Sequence, residues 1–127
     1  MPTLERWVLV VEDEPALLEV IAGFLRHLGW NPLLASCGAE AERLSRRHFG
    51  QIDLLLADLE LPDRLGTKVA ESICAARPET KVLFMTAGGL WCNPAKYGLP
   101  APYPLLEKPF GLSEFRQKVE MVLDSSE

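Results

Sequence analysis

The sequence predicts an α/β fold, a five-stranded parallel sheet with helices on both faces. Three observations carry that reading. Five short apolar runs alternate with stretches of helical periodicity along the 127 residues. Two of those runs, Trp7–Val11 and Ile52–Ala57, are apolar almost throughout, which suits strands buried on both faces. Parallel neighbours need long crossovers, and the helical stretches supply them.

The first run stops at the acidic pair Glu12-Asp13. Pro15 fits a first helical turn, which makes Asp13 a candidate N-cap. Leu17, Leu18, Ile21, Phe24, Leu25 and Leu28 share one helical face, and Gly29 is a natural stop. Trp30–Ala35 is a weaker strand that Pro32 pushes to a sheet edge. Ala39–His48 is a short helix with Ala41 and Leu44 inward, while Arg43, Arg46 and Arg47 read as its solvated face. Ile52–Ala57, broken only by Asp53, is the next strand and ends abruptly at Asp58. Val69, Ala70, Ile73 and Ala76 mark a third amphipathic helix, closed by Pro78. Lys81–Met85 is a fourth strand, ending at Thr86-Ala87-Gly88-Gly89.

The pattern breaks between Gly88 and Pro104. Prolines at 94, 100, 102 and 104 cannot share one regular helix, because each lacks an N–H and clashes with the preceding turn. The fourth helix is therefore expected to be irregular or shortened. A single turn over Pro94–Tyr97 fits, with Asn93 as cap and Gly98 as stop. A loop of this length is unusual in a compact domain. Trp91 and Cys92 read as packing over the sheet edge rather than as a partner contact, although Leu90, Trp91 and Tyr97 could form a small apolar docking patch. Leu105-Leu106 is a short fifth strand leading to Glu107-Lys108-Pro109, and Leu112, Phe115, Val119 and Val122 mark the last helix.

The totals bound the function. The chain reads as one domain over residues 1–127, with 48% apolar and 24% charged residues. A net charge of −5 without a Lys/Arg tract argues against nucleic-acid binding by this chain alone. No window approaches the 18 or so apolar residues of a membrane span, and no secretory h-region is evident. Cys37, Cys74 and Cys92 are odd in number and lack metal-ligand spacing, so they read as reduced thiols in the cytoplasm. His27 and His48 have no metal-like partner spacing and read as solvated or half-buried side chains.

In open α/β sheets, sites lie beyond the carboxyl ends of the strands. The residues there are Glu12, Asp13, Asp58, Thr86 and Lys108. Taken singly, each has an ordinary reading as a helix cap, loop carboxylate, strand end or surface lysine. Together they have chemical meaning. Clustered carboxylates repel one another unless a cation intervenes, and Mg2+ suits them. An ionised Asp58 could then attack phosphorus and form an acyl phosphate. Lys108 and the Thr86 hydroxyl would supply a cation and a donor to the phosphoryl oxygens.

Four motifs sit at successive predicted strand ends: VEDEP at 11–15, DLELP from Asp58 with Gly66 eight residues on, MTA at 85–87, and KPF at 108–110. Over essentially its full length the chain resembles a response-regulator receiver domain of two-component signalling. The resemblance implies a flavodoxin-like sheet of order 2-1-3-4-5 and Asp58 as phosphoacceptor. A histidine kinase or histidine phosphotransfer protein would be the donor. Asp13, Asp58 and the backbone carbonyl of Glu60 would ligate Mg2+, with Glu12 assisting through water. Thr86 and Lys108 would contact the phosphoryl group, and the Lys108–Pro109 bond would be cis, against a background of about 5% for such bonds. Such a domain promotes its own phosphorylation and dephosphorylation and is not a multiple-turnover enzyme; its output partner stays unspecified and a homodimer stays open.

Two features depart from the family pattern. Leu105 stands where receivers often carry an inward-turning aromatic residue, with Tyr103 two positions off register. The Pro-rich segment 88–104 replaces the usual fourth helix. Receivers at the C-terminus of hybrid histidine kinases often look like this, so a hybrid-kinase or stand-alone receiver is expected. Two other classes compete: a phosphate-independent interaction module, and a Mg2+-dependent phosphatase with an aspartyl-phosphate intermediate. The complete acidic, Thr and Lys set speaks against the first. Against the second, Glu60 stands where such phosphatases carry a second Asp, and no stretch reads as a cap domain.

Overall fold

The alternation of apolar side chains within each strand divides the interior into two layers. A computed structural model of the chain describes residues 5–87, 94–99 and 104–124. Its elements in chain order are β1 (Trp7–Val11), α1 (Pro15–His27), β2 (Asn31–Ala35), α2 (Gly38–Arg47), β3 (Leu54–Asp58), α3 (Gly66–Ala76), β4 (Lys81–Thr86), β5 (Leu105–Glu107) and α4 (Leu112–Leu123). The strands form one parallel sheet in the order β2-β1-β3-β4-β5. Val8, Val10, Leu54, Leu56, Leu83 and Met85 pack with Ile21 and Leu25 of α1 and Phe115 and Val119 of α4. Leu9, Val11, Leu55, Ala57 and Phe84 pack with Ala41 of α2 and Val69, Ala70 and Ile73 of α3. Each fully buried Leu or Phe contributes roughly 1.5–3 kcal/mol, so the central strands are held from both sides. Pro32 does lie in an edge strand, where its missing N–H costs no ladder bond.

The helix ends follow their local chemistry. Gly29 adopts a φ of 83° after α1; its N–H donates to the Arg26 carbonyl, and the Trp30 N–H donates to that of Leu25. That is a Schellman stop, with Trp30 and Leu25 in the same apolar cluster. Asp13 is not the N-cap of α1. Glu14 occupies that position without a side-chain capping bond, and its N–H is taken by Glu12 Oε2 at 3.0 Å.

β3 begins two residues later than its apolar run and extends through Asp58. The Asp53 carboxylate accepts the Trp7 N–H at 2.8 Å, while Ile52 stays buried and its carbonyl accepts the Thr80 hydroxyl at 2.7 Å. His48 is half-buried, its ring 4.6 Å from that of Trp7. In the β4–β5 crossover, Pro94–Tyr97 forms the expected turn as a 3-10 helix, and Gly98 stops it with a φ of 77°. Asn93, Leu90, Trp91, Cys92 and Tyr103 lie outside the described residues. Among the described residues, no helix is long and apolar enough to cross a membrane.

Arg77, which follows α3, closes the far end of α2. Its guanidinium donates to Ser45 Oγ and to the carbonyls of Ser45, His48 and Gly50, at 2.7–3.1 Å. These include acceptors that a helix C-terminus cannot satisfy itself. Arg77→Met should therefore lower unfolding free energy by roughly 2–3 kcal/mol in urea titrations. Arg77→Lys should not restore it, because an ammonium cannot reproduce the planar fork.

Candidate functional site

Parallel register sets four chemical residues in one row at the sheet's carboxyl edge. Val11 pairs with Ala57, Asp58 with Met85, and Thr86 with Glu107. Glu12, Asp58, Thr86 and Lys108 thus follow one another across β1, β3, β4 and β5. The Lys108 N–H donates to the Thr86 carbonyl at 2.8 Å, and the Lys108–Pro109 bond is cis. Glu12, Asp58 and Thr86 are buried, whereas Asp13 is exposed.

Carboxylate oxygens of Glu12, Asp13 and Asp58 all lie within 4.8 Å of one another. Lys108 Nζ sits between two of them, 2.8 Å from Glu12 Oε1 and 2.5 Å from Asp58 Oδ2. Backbone donors take the opposite oxygens: the Glu60 N–H reaches Asp58 Oδ1 at 3.0 Å, and the Glu14 N–H reaches Glu12 Oε2 at 3.0 Å. Glu12 Oε1 is buried, and the lysine approaches it as an ion-pair partner without forming an aligned hydrogen bond. One lysine cannot neutralise three carboxylates, so a hard divalent cation fits this donor set.

The loop after β3 is shaped by Gly66. A Cβ on that residue would stand 2.1 Å from the Asp58 carbonyl oxygen, so only glycine allows α3 to start there. The Gly66 N–H donates to the Leu59 carbonyl at 2.8 Å, and Glu60 pairs with Leu65 in an antiparallel bridge. The spacing of Gly66 from Asp58 was visible in the sequence, but this contact was not. Asp63 was also missed. It accepts the Gly38 and Ala39 N–H groups of α2, each at 2.9 Å. The available signal was a helix beginning after Cys37, a residue with no capping oxygen.

The family model of the response regulator receiver domain matches residues 8–120. The chain belongs to that family. Receivers of this family are phosphoacceptor switches of two-component signalling. The probable transcriptional regulatory protein TcrX of Mycobacterium tuberculosis is 39% identical over 80 residues, 63% of this chain and 33% of that protein. The sensor kinase CckA of Brucella abortus is 24% identical over 120 residues, 94% of this chain and 13% of that protein. The chain thus spans a third or less of these two curated relatives. Among solved structures, the receiver of the hybrid histidine kinase CckA superposes with a TM-score of 0.76 at 27% identity, covering 93% of this chain and 99% of that one. TrrA of Thermotoga maritima, solved with Mg2+ and BeF, gives 0.74 at 26% identity, covering 92% and 98%.

Burial pushes the Glu12 carboxyl above its ordinary value of 4.5, against the opposing pull of Lys108 and the Glu14 N–H. Burial would lower the Lys108 ammonium, but its contacts with Asp58 and Glu12 outweigh that and hold it above 10.5. Glu12 in the folded receiver binds its proton more tightly than in the unfolded chain. Its contribution to stability is therefore fully present below pH 4.5 and lost as pH rises through the raised value. In EDTA, the parent should lose stability relative to Glu12→Gln between pH 4.5 and neutrality, measured by urea denaturation at each pH. Parallel curves would contradict the assignment.

Proposed function

We propose that Asp58 accepts a phosphoryl group from a histidine kinase or histidine phosphotransfer protein in a Mg2+-dependent reaction. The contact that carries this reading is the Lys108 ammonium held between Asp58 and Glu12, with Asp13 beside them. Asp13, Asp58 and the Glu60 main-chain carbonyl would hold Mg2+, with Glu12 assisting through water. When bound, Mg2+ supplies positive charge to the phosphoryl oxygens and keeps Asp58 ionised. Asp58 attacks phosphorus through a carboxylate oxygen, forming a P–O bond as the donor's P–N bond breaks. Lys108 turns its charge to an equatorial phosphoryl oxygen, and the Thr86 hydroxyl donates to another.

Hydrolysis of the acyl phosphate resets the switch, so the domain turns over its own phosphate and no external substrate. The likeness to the CckA receiver supports a parent hybrid kinase, with a stand-alone cytoplasmic receiver as the alternative. The neighbouring coding sequence separates these two settings.

With acetyl phosphate and Mg2+, intact-mass analysis should show one phosphoryl adduct, absent in Asp58→Asn and with EDTA. Lys108→Ala should slow adduct formation by roughly 100-fold, the scale of losing one preorganised charge-stabilising group. An adduct that persists in Asp58→Asn would sink the assignment.

A further inference from the structure

The loop between β3 and α3 is anchored on its outer side by a residue that the reaction does not use. Asp63 accepts the N–H groups of Gly38 and Ala39 through its two carboxylate oxygens. Those are the first two donors of α2, which have no partner inside the helix. Asp63 therefore caps a helix whose start lies 25 residues earlier in the chain. Backbone donation from Gly38 holds its carboxyl below the ordinary 3.8, with burial opposing it and the Ala39 N–H adding to it.

The neighbouring contacts leave this junction little play. Arg64 pairs with Glu42 of α2 at 2.7 Å. Gly38 is buried, and a Cβ there would lie 2.8 Å from Val69 Cγ2 and 2.9 Å from Arg64 Cδ. Within the loop, the Leu61 N–H reaches the Arg64 carbonyl at 3.3 Å, and the Glu60–Leu65 bridge closes its base. Asp63 is the residue of this closed loop that holds main-chain donors of α2, beside the Arg64–Glu42 pair.

We infer that Asp63 is a positioning residue for the phosphoacceptor site: by capping α2 it fixes loop 59–65 and, with it, the main chain of Glu60. The consequence for metal binding rests on the proposed function; the ordering of the loop does not. The test uses the full chain with three substitutions: Asp63→Ala, Asp63→Asn, and Arg77→Met as a control that loosens the opposite end of α2.

Amide exchange by NMR in EDTA reports on the loop, and calorimetric titration with Mg2+ reports on the site. Asp63→Ala should speed exchange at Leu61 and Gly66 by about tenfold or more, as expected for local opening, and weaken Mg2+ binding by about threefold to tenfold. Asp63→Asn should fall between, because its amide oxygen accepts one N–H in place of two. Arg77→Met should lower the unfolding midpoint while leaving loop exchange and Mg2+ affinity within about twofold of the parent, since it opens no contact of the loop. Unchanged loop exchange in Asp63→Ala, or an equal effect of Arg77→Met, overturns the inference. A parent chain that binds no Mg2+ removes the metal reading, and the exchange rates still decide the role of Asp63.

Discussion

Like charges are crowded at the end of the two central strands, and the rest of the site answers to that crowding. Glu12, Asp13 and Asp58 come within 4.8 Å because β1 and β3 are hydrogen-bonded neighbours in register. In water such carboxylates would separate. Here the strands that carry them are buried on both faces, and separation would expose Val10, Val11, Leu56 and Ala57. The hydrophobic layers thus hold an electrostatically unfavourable arrangement in place. Lys108 relieves part of the repulsion, and relief that is only partial leaves the cluster able to bind a cation.

The geometry around Asp58 depends on backbone as much as on side chains. Its Oδ1 is oriented by the Glu60 N–H, and its own carbonyl lies where a Cβ of residue 66 would stand. An alanine there would push α3 off β3 or twist the Asp58 peptide. Asp58 is therefore set by a strand, a tight loop and a helix start acting together. Asp63 extends that chain of contacts to α2.

Much of this was legible from residue order. Continuous apolar runs such as Trp7–Val11 announce buried parallel strands, and the chemistry of such sheets gathers where those runs stop. Hence Glu12, Asp58, Thr86 and Lys108 could be named before any coordinates. The contacts that escaped are those between residues distant in sequence with no periodicity to betray them: Asp63 on α2, Arg77 on the other end of α2, and Gly66 against a carbonyl. Asp13 was misread as a cap because its residue type fits one. Main-chain geometry placed the N-cap one residue later, at Glu14, whose own N–H is taken by Glu12.

How phosphorylation could be felt elsewhere follows from which neighbours Asp58 has. Leu105 pairs with Phe84 and packs against the layer shared with α3, as Tyr97 and Leu99 do. An aliphatic side chain there cannot supply the aromatic ring whose inward turn the family commonly uses. The 59–65 loop, by contrast, is covalently joined to Asp58 and hydrogen-bonded to it through the Glu60 N–H. Any group that draws Asp58 Oδ1 away from that N–H must move the loop or leave a donor without its partner. Because Asp63 ties the same loop to the first turn of α2, a movement of the loop is carried to α2 by hydrogen bonds, whereas the β5 edge is joined to Asp58 through Lys108 and not through a turning ring at Leu105.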